Sequence, residues 1–357
     1  MADVLGFDIG GANTKAALLH TKNGRLVASK VALEYFPIWK EPAKLSSVLL
    51  SLGQRLGAGH LDGLGVTMTA ELSDAYATKR EGVKQILSCV KQTFPDVPIH
   101  VLDTDGNLAS VDEAEAAPFK VAAANWAATG WLVAQRIRDC VVVDVGSTSA
   151  SIVPIVNGRV VARGKTDLEK LMFGELVYTG CLRTNVCAIV QSIPLRGGVA
   201  KVASELFATS GDVHLLLGNI AASQYVSETA DGRGKTVAEA SARLARTVCA
   251  DTEMLTHREI VQMATYIYER QVAQVAEGLG AVNDNMKKLA GRDVSVAVTG
   301  LGRDFLARKA AEKVGVDSIV DLSSLLETEA VSATPAFAVA LMAACKVEGG
   351  NVQWTRQ

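Results

Sequence analysis

Short apolar runs broken by small and polar residues dominate the start of the chain, a pattern that predicts strands. Residues 7–28 (FDIGGANTKAALLHTKNGRLVA) open with a strand ending in Asp-x-Gly, pass into a second apolar strand, and turn on Asn23-Gly24 into a third. Residues 143–162 (VDVGSTSASIVPIVNGRVVA) repeat that order and turn on Asn157-Gly158. Asn-Gly between apolar runs is a strong hairpin signal, because both turn positions need a positive φ. The copies are offset by 136 residues at Asp8 and Asp144 and by 134 at the turns. Two copies of one β-hairpin unit therefore open two lobes.

Between the copies, the pattern predicts a strand at 63–69, a helix near 80–92, a strand at 98–102 and a helix at about 119–137. Beyond the second copy, 168–190 and 198–208 read as helical or irregular. Residues 212–232 read as polar turns, with VHLLL around His214 as an apolar strand. Helical patterns follow at 235–250 and 257–290, then a strand at 294–298, a helix from about Arg303 to Val314, a strand at 318–321 and an Ala-rich helix at 334–346. Helices and strands in alternation predict an α/β fold in which each hairpin sheet gains mostly parallel strands. We place an N-terminal lobe at 1–137, to which the 334–346 helix returns, and a C-terminal lobe at 138–333.

Length supports two lobes, since 357 residues exceed what one hydrophobic core usually sustains. A net charge of −2 and no dense run of Lys and Arg argue against nucleic acid and acidic membrane surfaces as partners. No apolar segment reaches a membrane span, and the first residues lack the basic and apolar regions of a secretory signal, so a cytoplasmic location is expected. The six cysteines show no CxxC pair and read as reduced thiols.

The Asp-x-Gly turns carry the candidate chemistry. A turn joining two strands after Asp8-x-Gly10-Gly11 directs backbone N–H groups into one concavity, a nest suited to phosphate oxygens. Glycines there admit close approach and tolerate positive φ. Asp8 is a candidate Mg²⁺ ligand, since that ion prefers hard oxygens and keeps most of its waters. Asn13 and Lys15 add a neutral and a cationic donor. Alone, this motif is equally a structural turn. The second copy shifts the balance: Asp144, Gly146, Ser147, Thr148 and Ser149 repeat it with hydroxyl donors, and two such nests facing each other would clamp a polyphosphate and its metal. A third element, strand then Gly300-Leu301-Gly302 then helix, offers a place for a nucleoside or second anion.

Other positions have bland readings of similar weight. Glu71 and Asp74 follow a strand at its carboxyl end, where α/β sheets place ligands; Glu71 is a base or metal ligand, or else a capping residue. Lys79 and Arg80 reach a phosphate or carboxylate, or form a solvated face. Asn125 is a candidate substrate donor beside a core Trp126, and Arg183 and Thr184 are candidate substrate contacts. Asp212, His214 and Glu205 form a metal group only if His214 is not simply a core histidine.

Taken together, DIGGANTK at 8–15, GVTMTAELSDAYATKREGV at 65–83, ANWAATG at 124–130, DVGSTSASIVPI at 144–155, YTGCLRTNV at 178–186 and VTGLGR at 298–303 span most of the chain. With them the sequence resembles the actin, sugar kinase and heat-shock chaperone superfamily. More narrowly, it resembles the hydantoinase and oxoprolinase branch and its group linked to tetrahydromethanopterin-dependent one-carbon metabolism. The resemblance implies a two-lobed actin-like ATPase (ribonuclease H-like) fold with a ligand cleft between the lobes. It also implies a transferase of methanofuran or methylofuran synthesis. Such an enzyme joins (5-(aminomethyl)furan-3-yl)methyl diphosphate to γ-glutamyltyramine through an aryl ether and releases diphosphate. Mg²⁺ on Asp8 and Asp144 is the expected cofactor, with ATP or ADP binding left open. Lys15, Glu71 and Asp8 are the catalytic candidates.

Two departures from the branch matter. Asn13 and Lys15 replace a common Thr and Asp, which argues against hydantoin or oxoproline hydrolysis. Ser151 stands where an acidic residue is frequent. Rival readings are an ATP-dependent small-molecule kinase or hydantoinase-like ATPase, and a non-enzymatic actin-like nucleotide switch.

Overall fold

The computed structural model describes residues 1–354. They form two compact units. The first contains Met1–Val142, Val153–Met172 and the described residues from Val320; the second contains Val143–Ile152 and Phe173–Ile319.

In the first unit, β1 (Ala2–Ile9), β2 (Asn13–Lys22) and β3 (Arg25–Tyr35) form an antiparallel meander, extended through β4 (Gly63–Met68), β5 (Ile99–Leu102) and β6 (Leu108–Ala109). The sheet order is β3-β2-β1-β4-β5-β6, with β4 parallel to β1 and β5 parallel to β4. Asn23 and Gly24 take φ of 53° and 67°, the left-handed turn that the dipeptide predicts. One sheet face packs Leu5, Phe7, Ile9, Leu64 and Val66 against the helices Leu45–Leu56 and Lys79–Thr93. The other receives the Thr334–Val347 helix. A methyl group at Gly6 would collide with the Ala336 carbonyl, and one at Gly65 with that of Val339. Small residues on both partners thus set the helix close against β1 and β4, and Gly65→Ala would overpack this seam, typically a loss of about 1–3 kcal/mol.

The second sheet runs β10-β8-β7-β13-β14, from β7 (Cys140–Val145), β8 (Ala150–Val156), β10 (Leu176–Val177), β13 (Ser295–Thr299) and β14 (Ile319–Asp321). The short β9 (Arg159–Val160) pairs with β8 after the Asn157-Gly158 turn, whose φ values are 52° and 71°. This third strand is two residues long against eleven in the first copy. A separate hairpin joins β11 (Ser192–Leu195) and β12 (Gly198–Lys201). The His257–Ala290 helix packs Ile260, Met263 and Ile267 into a core with Val186, Val213 and Leu244.

Two local expectations are corrected. VHLLL lies in the helix Ser210–Leu216, not a strand, because Thr209 and Asp212 form a capping box that starts a helix there. The single helix expected at 119–137 is two, Pro118–Val121 and Asn125–Ala134, broken where Ala123 adopts φ 51°.

Candidate functional site

The duplicated turns share one backbone bond. Gly10 N donates to Asn13 O at 3.0 Å, and 136 residues on Gly146 N donates to Ser149 O at 2.9 Å. Neither Gly10 nor Gly11 has a positive φ, so the conformational argument for them fails. Gly10 is needed for another reason: a methyl group there would lie 2.7 Å from Asn13 O. Gly11 faces open space. The carbonyls of Gly11 and Ala12 accept from Ile38 and Phe36, while their N–H groups have no acceptor among the described residues.

Register places the first-unit side chains. Asp8 pairs with Lys15 across β1–β2 and with Thr67 across β1–β4, so all three project from one face. Lys15 Nζ lies 3.8 Å from Asp8 Oδ2, with the lysine side chain 22% exposed and the aspartate 7%. Asn13, at the start of β2, is buried.

Glu71 sits in a 3-10 turn, Ala70–Leu72, just past the carboxyl end of β4. It is 1% exposed, and both carboxyl oxygens are enclosed without a hydrogen-bond partner among the described residues. Lys79 Nζ approaches Oε1 at 3.6 Å but bonds Asp167 Oδ2 at 2.7 Å. Burial pushes the Glu71 carboxyl up to about 7, against the pull of Lys79. Arg80, by contrast, stacks on Phe119 with 5.2 Å to the ring centroid. Asn125 opens its helix half-buried, followed by buried Trp126 under the Lys170 ammonium, 3.8 Å from the ring centroid.

In the second unit, Arg183 reaches the phosphate-type turn: its Nη1 donates to Thr148 Oγ1 at 3.1 Å, and its backbone N to Ser147 O. Thr184 Oγ1 accepts from Gly180 N at 2.9 Å. A methyl group at Gly180 would lie 2.5 Å from the Thr148 carbonyl carbon, so this residue is a shelf beneath the turn. Gln271 holds the shelf, donating from Nε2 to Gly180 O at 2.8 Å and Thr179 Oγ1 at 2.9 Å. Gly300 and Gly302 press on the end of β7: a methyl group at Gly300 would lie 2.5 Å from Val145 O and 2.6 Å from Asp144 Oδ1. The glycines are therefore required for close packing beside Asp144, and the helix after them begins as a π turn, Arg303–Ala307.

The metal group around His214 is not formed. His214 accepts at Nδ1 from Asn219 and uses Nε2 toward Gln271 Oε1 at 2.9 Å, which fixes the neutral tautomer. Asp212 instead meets buried Arg243 at 2.7 Å, and Glu205 is exposed. No group of three His, Cys, Asp or Glu among the described residues could hold a metal ion. One carboxylate per turn fits Mg²⁺ that arrives on a phosphate with most of its waters. Sequence reading missed Asp167 and Gln271, which carry no local signal; each matters through a partner distant in the chain.

Sheets and turns have the fold of the actin-like ATPase and sugar kinase class. The chain belongs to the hydantoinase/oxoprolinase family, whose model matches residues 62–345. It is 36% identical over 338 residues to a (4-{4-[2-(gamma-L-glutamylamino)ethyl]phenoxymethyl}furan-2-yl)methanamine synthase of Methanocaldococcus jannaschii, covering 94% of this chain and 96% of that protein. A synthase of the same name from Methanococcus vannielii is 31% identical over 213 residues, 59% of this chain and 93% of its own. Among solved structures, nucleotide-free acetone carboxylase superposes with a TM-score of 0.56 at 10% identity, over 95% of this chain and 70% of that one; this likeness concerns the fold alone. No helix among the described residues is long and apolar enough to cross a membrane.

Proposed function

We propose that the protein is the aryl-ether-forming transferase of methanofuran or methylofuran synthesis, joining (5-(aminomethyl)furan-3-yl)methyl diphosphate to γ-glutamyltyramine. The observation that carries this reading is the full-length likeness to the M. jannaschii synthase, whose name describes a phenoxymethyl-furan product. The duplicated turns agree with it, since a diphosphate leaving group needs donors and cations where its charge grows.

The C–O bond between the furanylmethyl carbon and diphosphate breaks, and its electron pair goes to the bridging oxygen. The phenol oxygen forms the new C–O bond and gives up its proton. Gly11 and Ala12 N–H groups and the Lys15 ammonium take up charge on the departing diphosphate. Mg²⁺, held by Asp8 or Asp144 through its hydrated shell, would neutralise further charge. Glu71 receives the phenolic proton, its raised pKa matching it to work near neutral pH. Lys79, tied to Asp167, lies 3.6 Å from this carboxyl.

The test is incubation of the purified protein with the furanylmethyl diphosphate, γ-glutamyltyramine and Mg²⁺, with mass spectrometry of the products. Ether and diphosphate in equal amounts are expected. Transfer of a γ-phosphoryl group from ATP to an alcohol, with no ether, would replace this reading with the kinase.

A further inference from the structure

A cavity of about 390 Å³ in the first unit is lined by none of the residues of the first phosphate-type turn. Its wall is one face of the Asn125–Ala134 helix: Ala127, Trp131 and Ala134 follow at helical spacing, and the two alanines leave room beside the indole. Trp126, the Thr104–Gly106 turn, Arg159 and Lys165 are among the other residues that line it. Volume and mixed lining match a small-molecule site.

The cavity holds one exposed ion pair, and its lysine also donates to Thr104 O at 3.2 Å. Lys165 Nζ bonds Asp105 Oδ1 at 2.8 Å, with the two side chains 47% and 53% exposed. Exposed ion pairs contribute little, so either partner can turn to a ligand at small cost. Arg159, also exposed, supplies a second cation. The buried Trp126 Nε1 has no hydrogen-bond acceptor among the described residues, a deficit that calls for an explanation. Two cations, a carboxylate and two indoles together suit a zwitterionic amino-acid head: its carboxylate on Arg159 and Lys165, its ammonium on Asp105, and its carbon chain along Trp131.

The cavity and the candidate base follow the ends of neighbouring strands. Thr104 follows the carboxyl end of β5 as Glu71 follows that of β4, and these strands are parallel neighbours, about 4.8 Å apart. Ligands of α/β sheets bind at such strand ends. One short segment supplies both places, with Lys165 in the cavity and Asp167 on Lys79 beside Glu71. Two residues span at most about 7 Å.

We propose that this cavity binds the γ-glutamyl end of the acceptor and directs the phenol toward Glu71. The assignment rests on the acceptor named in the proposed function. Its test is therefore a binding measurement that needs no turnover. Isothermal titration of γ-glutamyltyramine and of tyramine would be run on the wild-type protein and on Arg159→Ala, Lys165→Gln and Trp131→Ala, each checked by thermal melting. Arg159→Ala and Lys165→Gln, both at exposed positions, should weaken γ-glutamyltyramine binding about 10-fold and leave tyramine binding unchanged; Trp131→Ala should weaken γ-glutamyltyramine as well. Unchanged γ-glutamyltyramine affinity in folded Arg159→Ala and Lys165→Gln would overturn the assignment, even with ether synthesis intact. Selective loss of glutamyl binding in a protein that makes no ether would uphold the cavity and remove the transferase reading instead.

Discussion

Lys15 Nζ lies 3.8 Å from Asp8 Oδ2 because the two residues are direct partners in the β1–β2 ladder. The ammonium is turned toward the candidate metal ligand, with only 22% of its side chain exposed. It is thus held beside the turn rather than solvated on the outer strand surface.

In the proposed reaction, charge growing on the bridging oxygen would be met by this ammonium more strongly in the transition state than in the ground state. Lys15→Ala should therefore lower turnover by about 10²-fold, as removal of one preorganised charge stabiliser does. Lys15→Arg should restore part of it, since a planar fork does not reproduce a compact point charge. Diphosphate release under saturating substrate reads both. Unchanged turnover in Lys15→Ala would take the residue out of the reaction.

Glu71 makes stability depend on pH in a direction opposite to most carboxylates. Its folded pKa of about 7 exceeds the ordinary 4.5, so between those values the folded state binds more protons than the unfolded. Stability is then full below about pH 4.5 and falls as pH rises toward 7. The loss is about 3 kcal/mol if the whole shift is realised. Glu71→Gln, which stays neutral, should flatten this decline in urea denaturation at pH 5 and pH 8, and should lower ether formation. A variant with the wild-type difference between the two pH values would show that Glu71 is not the group responsible.

His214 and Gln271 act on the acid side. Burial lowers the His214 pKa to about 4, so between 6.5 and 4 the unfolded state binds the extra proton and stability falls as pH drops. Gln271→Leu should cost about 3 kcal/mol, because it removes the bonds from Gln271 to Gly180 O, Thr179 Oγ1 and His214 Nε2. His214→Gln should abolish the loss between pH 6.5 and 4. Thermal or urea unfolding checks both, and a Gln271→Leu midpoint equal to wild type would mean that the shelf beneath Thr148 stands without it.

Much of the architecture was legible along the chain because its causes are local. Asn23-Gly24 and Asn157-Gly158 fix two turns through their own backbone preferences. Thr256 and Glu259 cap the long helix and Gly291 ends it at φ 66°, which is why its limits of 257–290 were readable. The Asp8 and Asp144 motifs were visible for the same reason, being short and repeated. His214 was misplaced because apolar VHLLL suits strand and helix alike, and the capping pair at Thr209 and Asp212 decided between them. What only the tertiary structure decided is where distant residues meet. Asp167 draws Lys79 to 2.7 Å while Glu71 stays 3.6 Å away, Gln271 bonds Gly180 from 91 residues away, and Lys170 stacks on Trp126. These pairings follow from packing and burial, which no spacing within a single segment encodes.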